Sequence, residues 1–415
     1  EFLLKPTVHR QSSVKGGFDS MDEAYKLVEM QTGLSLRKKI NFYLMLSILA
    51  FPVNHRMHAD STGFFPIGMY GVHDPEDLRL VHEAGFNSVV GPANRSFLDT
   101  AQELGMKVIA SPGSSSGHSF KVNATRDRVE SLDDHPALLS WYLVDEPDMQ
   151  RIPPWKVEMD QRLLKSTSAK KPVSLVLFHG MHVKDYGHLP DILMLDNYPV
   201  PWMPLAHFAQ HLYWARNTIS TRKPIYGVLQ AFDWHYFRHV LPGEKNLRKP
   251  TTEEMRCMTF MSLAHGMNGL FYYTYKSGEW NILEHPELWE GLQQVVASVN
   301  ENPYLLNAQR KWWLPQYEIA PREQRRSATL EPSISMTMLE DVEGVTHLLF
   351  INTTPHQLTL TVKLPGSPNN WAPVFEGKAP FGGLKPDATY KFTFEKYQVR
   401  LLKGYEVPSL PNWLE

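Results

Sequence analysis

The chain has 415 residues, with 42 Lys and Arg against 44 Asp and Glu, a net charge of -2 and one cysteine. That balance gives no reason to expect nucleic acid or an anionic membrane as partner. A lone Cys257 excludes an intramolecular disulfide and any cysteine-based metal cluster. The length suits roughly two domains, or one large barrel with an appendage. The 11 Trp and 17 Tyr suit a sugar-handling surface, because aromatic faces stack on the C–H faces of sugar rings, and they suit an ordinary core equally.

Residues 1–59 differ from the remainder. Arg37, Lys38 and Lys39 precede an apolar run from Ile40 to Val53, and Met57-His58-Ala59 follows. A basic flank, an apolar stretch of this length and a small residue at the cut form a secretory signal pattern. The run is too short for a comfortable membrane span, so no stable membrane insertion is expected. Cleavage after Ala59 starts the mature protein at Asp60 and implies a secreted or periplasmic location. In that reading Met30 is the initiator and residues 1–29 lie upstream. The alternative is an amphipathic or partner-binding helix.

From Phe64 strands and helices alternate. Phe64 to Val72 reads as a strand and Pro75 to Ala84 as a helix opened by Asp74-Pro75. Asn87 to Val90 and Lys107 to Ala110 are strands around a helix from Phe97 to Leu104. A Ser/Gly-rich loop, Ser111 to Gly117, and a short helix, Arg126 to Ser131, lead to the fourth strand. Trp155 to Ser168 is helical, and Pro172 to Phe178 and Ile192 to Asp196 are strands five and six. Leu205 to Asn217 is a helix before strand seven, Pro224 to Phe232. The stretch Phe232 to Arg248 is an aromatic and basic loop. Thr252 to His265 is a helix, capped by Thr251 or Thr252 with Glu253 and Glu254 in its first turn. Cys257 falls in it as a small buried residue. Gly269 to Tyr275 is strand eight and Pro286 to Asn300 the closing helix. Eight such units over 60–310 predict an α/β fold, a (β/α)8 barrel. A doubly wound sheet is disfavoured because no Gly-x-Gly-x-x-Gly follows the first strand.

The fourth strand, Leu138 to Pro147, is an apolar and aromatic run that ends in Asp145-Glu146. Acids at the carboxyl end of a barrel strand sit at the mouth, where such folds place their chemistry. Glu146 is the expected proton donor. The plainer alternative has Asp145 capping the next turn and Glu146 in solvent.

After a charged connector, 311–326, the pattern changes. Runs at Ser333 to Leu339, Thr346 to Asn352, Leu358 to Leu364, Ala372 to Phe375, Tyr390 to Phe394 and Gln398 to Leu402 are separated by turn residues. They predict a small antiparallel β-sandwich over 327–405, with a tail at 406–415.

The Asp-Glu-Pro ending of strand four resembles the Asn-Glu-Pro acid/base strand of clan A glycoside hydrolases. Leu349-Phe350-Ile351-Asn352-Thr353 and Tyr397-Gln398-Val399-Arg400-Leu401 resemble the sandwich that follows many glycosidase barrels. The resemblance implies Glu146 as general acid/base and Asp145 in the place of an Asn that contacts the sugar 2-substituent. It also implies a nucleophilic Glu ending strand seven, where this chain has Gln230, an amide that cannot serve as a carboxylate.

A second carboxyl is therefore sought elsewhere. Asp196, ending strand six, faces strand four across two ring positions; its alternative is an Asx-turn before Tyr198-Pro199. The tandem Asp145-Glu146 also resembles that of enzymes in which the substrate's own 2-acetamido group attacks, and this resemblance implies Asp145 polarising the amide while Glu146 protonates the leaving oxygen. Asp233 and Glu279 are expected to shape the rim. Tyr70, His179, Tyr198, Gln230, Trp234, Tyr273 and Trp280 lie at or beyond strand ends and could form a sugar subsite. No His-x-His or His-Glu-x-x-His spacing occurs, so neither a catalytic metal nor another cofactor is predicted. Besides a secreted hydrolase acting on an oligo- or polysaccharide, two readings stay open. One is a non-hydrolytic carbohydrate-binding barrel. The other is a polysaccharide lyase using Arg238, Lys245 and Arg248 to neutralise a uronate.

Overall fold

The computed structural model describes residues 63–405, apart from 114–121, 168, 220–222, 242, 307, 312–313, 328, 330, 369 and 376–382. The signal-like segment, the tail and most of the Ser/Gly-rich loop lie outside the described residues. Eight parallel strands close into a barrel in sequence order: β1 (Ile67–Tyr70), β2 (Ser88–Gly91), β3 (Lys107–Ala110), β4 (Leu138–Tyr142), β5 (Val173–Leu177), β6 (Ile192–Asp196), β7 (Ile225–Gln230) and β8 (Gly269–Tyr273). Closure is direct, with Ile67, Gly68 and Met69 of β1 paired to Leu270, Phe271 and Tyr272 of β8. The strands are buried on both faces, which explains why they read as continuous apolar runs rather than alternating ones.

Helices α1 (Pro75–Glu83), α2 (Arg95–Glu103), α3 (Val122–Leu132), α4 (Pro154–Ser166), α5 (Val183–Tyr186), α6 (Leu205–Thr218), α7 (Thr252–Ala264) and α8 (Pro286–Asn300) surround it. The short α5 falls between strands five and six, where the sequence shows no helical pattern of its own. Two glycines make room inside the barrel. A Cβ on Gly68 would stand 2.2 Å from the Phe271 ring, and one on Gly269 would stand 2.6 Å from the Tyr226 ring. Those two rings stack at 5.7 Å and fill the interior.

The sandwich starts earlier than its pattern suggests. Sheet strands β11 (Gln309–Lys311) and β12 (Tyr317–Ala320) precede residue 327, so the expected connector supplies one strand and the end of another. Their polar, solvent-facing residues hide the alternation. With β13 (Ile334–Glu340), β14 (Thr346–Asn352), β15 (Leu358–Lys363), β16 (Asn370–Pro373), β17 (Thr389–Phe394) and β18 (Val399–Tyr405), they form two antiparallel sheets. One has the order β11-β13-β14-β18-β16 and the other β12-β15-β17. The pair β9 (Lys276–Ser277) and β10 (Trp280–Asn281) makes a separate hairpin beyond β8.

The larger sheet is buried on both faces. Leu348, Phe350 and Leu402 join the core between the two sheets, whereas Leu349, Ile351, Val399 and Leu401 join the barrel core. Helix α7 lies between barrel and sheet and is buried nearly all round, Cys257 included. Its Thr251 cap and Glu254 form a reciprocal capping box. Burial drives the Cys257 thiol pKa upward, so this thiol is inert core.

Candidate active site

β4 ends at Tyr142, and Leu143 and Val144 stay buried as the chain reaches the mouth. Asp145 and Glu146 follow at the rim of a cleft of about 590 Å³. Glu146 has a φ of 38°, in the left-handed region, although it is not glycine and precedes Pro147. Both facts disfavour that conformation, so the surrounding structure must impose it. Two bonds tighten the turn: Gln150 N donates to Glu146 O at 3.0 Å, and Gln150 Nε2 donates to Asp145 O at 2.6 Å. Asp148 then fixes the turn to the end of β5, accepting from Phe178 N at 3.1 Å and from His179 N at 2.9 Å.

Asp196 ends β6 and is almost fully buried beneath the same cleft. The Tyr198 hydroxyl donates to its Oδ2 at 3.0 Å. Its carboxyl lies close enough to that of Glu146 for each to shift the other's pKa. Its Oδ1 has no hydrogen-bond partner among the described residues. Burial, and then the negative charge of Glu146, push the Asp196 pKa well above the usual carboxylate range. Glu146 is pushed up to about 7, first by burial and then by Asp145 and Asp148, while its hydrogen bond with Asp196 works the other way. Glu146 retains some exposed surface and lines the cleft. Asp145 is also raised by burial, offset by the Tyr142 hydroxyl, which donates to Oδ1 at 2.5 Å.

Aromatic side chains build the walls. Tyr198 stacks on Tyr273 at 5.5 Å, Tyr70 meets Tyr273 edge-on at 5.6 Å, and Phe232 meets Trp234 at 4.9 Å. Burial, and then the neighbouring carboxyls, raise the Tyr70, Tyr142 and Tyr198 hydroxyls well above their ordinary pKa, so they remain protonated donors. The site therefore offers sugar-stacking faces, hydroxyl donors and three carboxyls.

Of the residues singled out in the sequence, Asp145, Glu146, Asp196, Tyr70, Tyr198, Trp234 and Tyr273 line the cleft together. Gln230, His179 and Trp280 do not, and each has a structural task instead. Gln230 Nε2 donates to Val200 O at 2.8 Å and its Oε1 accepts from Val200 N at 2.9 Å, so the amide staples the loop after β6. His179 stacks on Trp214 behind Asp148. Trp280 is buried, donating to Thr274 O at 2.8 Å. Asp233 caps a short 3-10 turn by accepting from His235 N at 2.8 Å, and Glu279 is exposed outside the cleft lining.

The basic loop does not supply a uronate clamp. Arg248 is committed to Glu254 through two bonds of 2.7 and 2.8 Å, and neither Arg238 nor Lys245 lines the cleft. Lys276 does line it, but its Nζ is paired with Asp77 at 2.7 Å. Sequence reasoning missed Tyr142, Asp148 and Lys276. Tyr142 looks like core, and only its position three residues before Asp145 hints at a partner.

Among the described residues no group of three or more His, Cys, Asp or Glu side chains could hold a metal ion. No described helix is long and apolar enough to cross a membrane.

No family profile matches this sequence, and no curated protein sequence does. Solved structures with the same fold include glycoside hydrolases. A β-galactosidase from Bacillus circulans sp. alkalophilus has a TM-score of 0.55 at 10% identity, covering 82% of this chain and 99% of that one. Gan42B, a GH42 β-galactosidase from G. stearothermophilus, has a TM-score of 0.50 at 9% identity, covering 81% of this chain and 98% of that one. The likeness is one of fold. Function rests on the cleft itself.

Proposed function

We propose that this protein is a glycoside hydrolase whose general acid is Glu146. The observation that carries the reading is the carboxyl pair of Glu146 and Asp196 at the mouth of a (β/α)8 barrel, in a cleft walled by Tyr and Trp. A carboxyl with a pKa near 7 holds its proton at working pH and can release it to a leaving oxygen. Asp196, its pKa raised well above the usual carboxylate range by burial and by Glu146, stands beside that acid and is coupled to its proton. In this reading Asp196 positions the Glu146 proton. Tyr198 holds it in place.

The signal-like segment ahead of Asp60 supports action outside the cytoplasm. The absence of a carboxylate at position 230 favours one other reading, a barrel that binds glycans without cleaving them. Hydrolysis of a broad glycoside panel by the parent and by Glu146→Gln separates the two. A loss of roughly 10²–10⁴-fold in turnover, with sugar affinity kept, supports the acid role. Sugar binding without turnover in both proteins supports the binding reading.

A further inference from the structure

Among the described residues the cleft has two unlike walls. The loops after β8, β1 and β3 supply Thr274, Lys276, Ser277, His73 and Ser111, polar groups suited to sugar hydroxyls, with Val90 and Pro92 of the β2 end as the aliphatic members of that side. The loops after β4, β5 and β7 supply Met149, Phe178, Phe237 and Val240. The strand order of the closed barrel sets these two groups of loops on opposite sides. Phe178 and Phe237 are half-buried, whereas Met149 and Val240 expose 52% and 51% of their surface. Trp202, 37% exposed, carries the apolar side outward, edge-on to Trp234 at 6.3 Å. One exposed apolar side chain is ordinary, but a group of them along a cleft marks a binding surface.

The apolar wall is preformed. Tyr236 packs against Trp280 at 5.2 Å and His285 at 5.6 Å, which anchors the loop that carries Phe237 and Val240. Phe237 meets Phe232 at 4.8 Å, and Val240 N donates to Phe237 O at 2.9 Å, so one turn holds both residues. Gln230 bonds both backbone groups of Val200 and so steadies the loop that carries Trp202. A wall held in this way loses little freedom when a ligand covers it. Met149 stands three residues past Glu146, inside the turn closed by the Gln150 N to Glu146 O bond. A group that departs with the Glu146 proton therefore leaves on the Met149 side.

We infer that the leaving group is apolar: the substrate is a small-molecule glycoside whose hydrophobic aglycone lies against Met149, Phe178, Phe237 and Val240, rather than a polysaccharide. This deepens the glycosidase reading above and rests on it. The C1–oxygen bond breaks, the aglycone departs as an alcohol with the Glu146 proton, and water supplies the hydroxyl that ends on C1. A polysaccharide would instead lay a second sugar, rich in hydroxyls, against the apolar wall. The polar side chains that line that side are the carboxyls, Tyr142 and Tyr198 at the strand ends, and none lies farther out among the described residues. Hydroxyls covered there without partners would bind at a loss. A cleft of about 590 Å³ also has the size that encloses one compact ligand.

The test uses the full chain with methyl, butyl and hexyl glycosides of glucose, galactose, mannose and xylose in both anomeric forms, and the matching di- and tetrasaccharides. The three alcohols are nearly equal as leaving groups, so differences among them report contact with the wall. On the sugar that is cleaved, kcat/KM is expected to rise roughly 100-fold from methyl to hexyl, below the about fourfold per methylene of full burial. Met149→Ser and Val240→Ser are each expected to cut the hexyl-to-methyl ratio by about threefold or more. Val342→Ser, at a residue 80% exposed on the sandwich, is expected to leave that ratio intact. Melting temperatures check that each variant is folded. A flat alkyl series, a series indifferent to Met149→Ser and Val240→Ser, or a tetrasaccharide cleaved faster than the hexyl glycoside overturns this inference and leaves the glycosidase reading standing. No turnover of any glycoside counts against the glycosidase reading. In that case calorimetry decides: hexyl glycoside bound more tightly than methyl, with the difference lost in Val240→Ser, keeps the apolar site, and equal binding or none removes it.

Discussion

Asp196, at the end of β6, stands beside Glu146, four residues past β4, and the two buried carboxyls shift each other's pKa. Two like charges so placed cannot both be held cheaply out of water, so the pair retains protons that isolated carboxyls would lose. The macroscopic steps belong to the pair rather than to either residue alone.

The first consequence is a pH profile. Turnover that needs the Glu146 proton is expected to fall as pH rises through about 7, measured as kcat/KM on the active glycoside between pH 4 and 9. A rate that holds level to pH 9 removes Glu146 as the acid.

The same group links pH to stability. Its folded pKa lies above its ordinary value, so the native state binds the extra proton. Stability is fullest below the ordinary carboxylate range and declines as pH rises through about 7. Glu146→Gln is expected to melt a few degrees above the parent at pH 8, and the gap should close toward pH 4.5. Thermal unfolding at both pH values checks this; a gap that grows on acidification contradicts it.

Tyr142→Phe removes the hydroxyl that steadies Asp145. A bond to a charged acceptor contributes roughly 1.5–3 kcal/mol, so kcat should drop about tenfold or more. That bond also lowers the Asp145 pKa, and its loss should shift the acidic limb of the profile to higher pH. An unchanged acidic limb would show that Asp145 need not be ionised.

Gln230→Glu tests the structural task of that side chain. The change deletes a donor to Val200 O and places a charge where the residue is fully buried. It should cost about 2 kcal/mol or more, lowering the melting temperature by roughly 4 °C or more, with no gain of activity. Faster hydrolysis in this variant would restore position 230 as a catalytic site.

Barrel and sandwich are expected to unfold together. Phe260 of α7 meets Phe375 at 5.1 Å, and the Arg256 guanidinium lies 4.6 Å from the Phe375 ring centre. Phe260→Ala should destabilise the whole by about 3–5 kcal/mol in a single calorimetric transition. Two separated transitions would show that the interface is not part of one cooperative core.

The sequence by itself determined the barrel, because eight short apolar runs spaced by capped amphipathic helices satisfy burial on both sheet faces in few other ways. It also placed Asp145, Glu146 and Asp196 at strand ends, since an acid closing an apolar strand can reach water only at the mouth. It determined the antiparallel sheets from Ser333 onward, but not β11 and β12, whose residues are too polar to show alternation. Only the tertiary structure decided which polar residues face the cleft. Gln230 and Trp280 stand beside strand ends as Trp234 and Tyr273 do, yet their polar atoms are claimed by Val200 and Thr274. Periodicity records whether a residue is buried, not which hydrogen-bond partner it finds. The pairing of Glu146 with Asp196 is likewise absent from any local pattern. It depends on strands four and six closing around one ring, 50 residues apart in the chain, and on the strained turn that brings Glu146 to face Asp196.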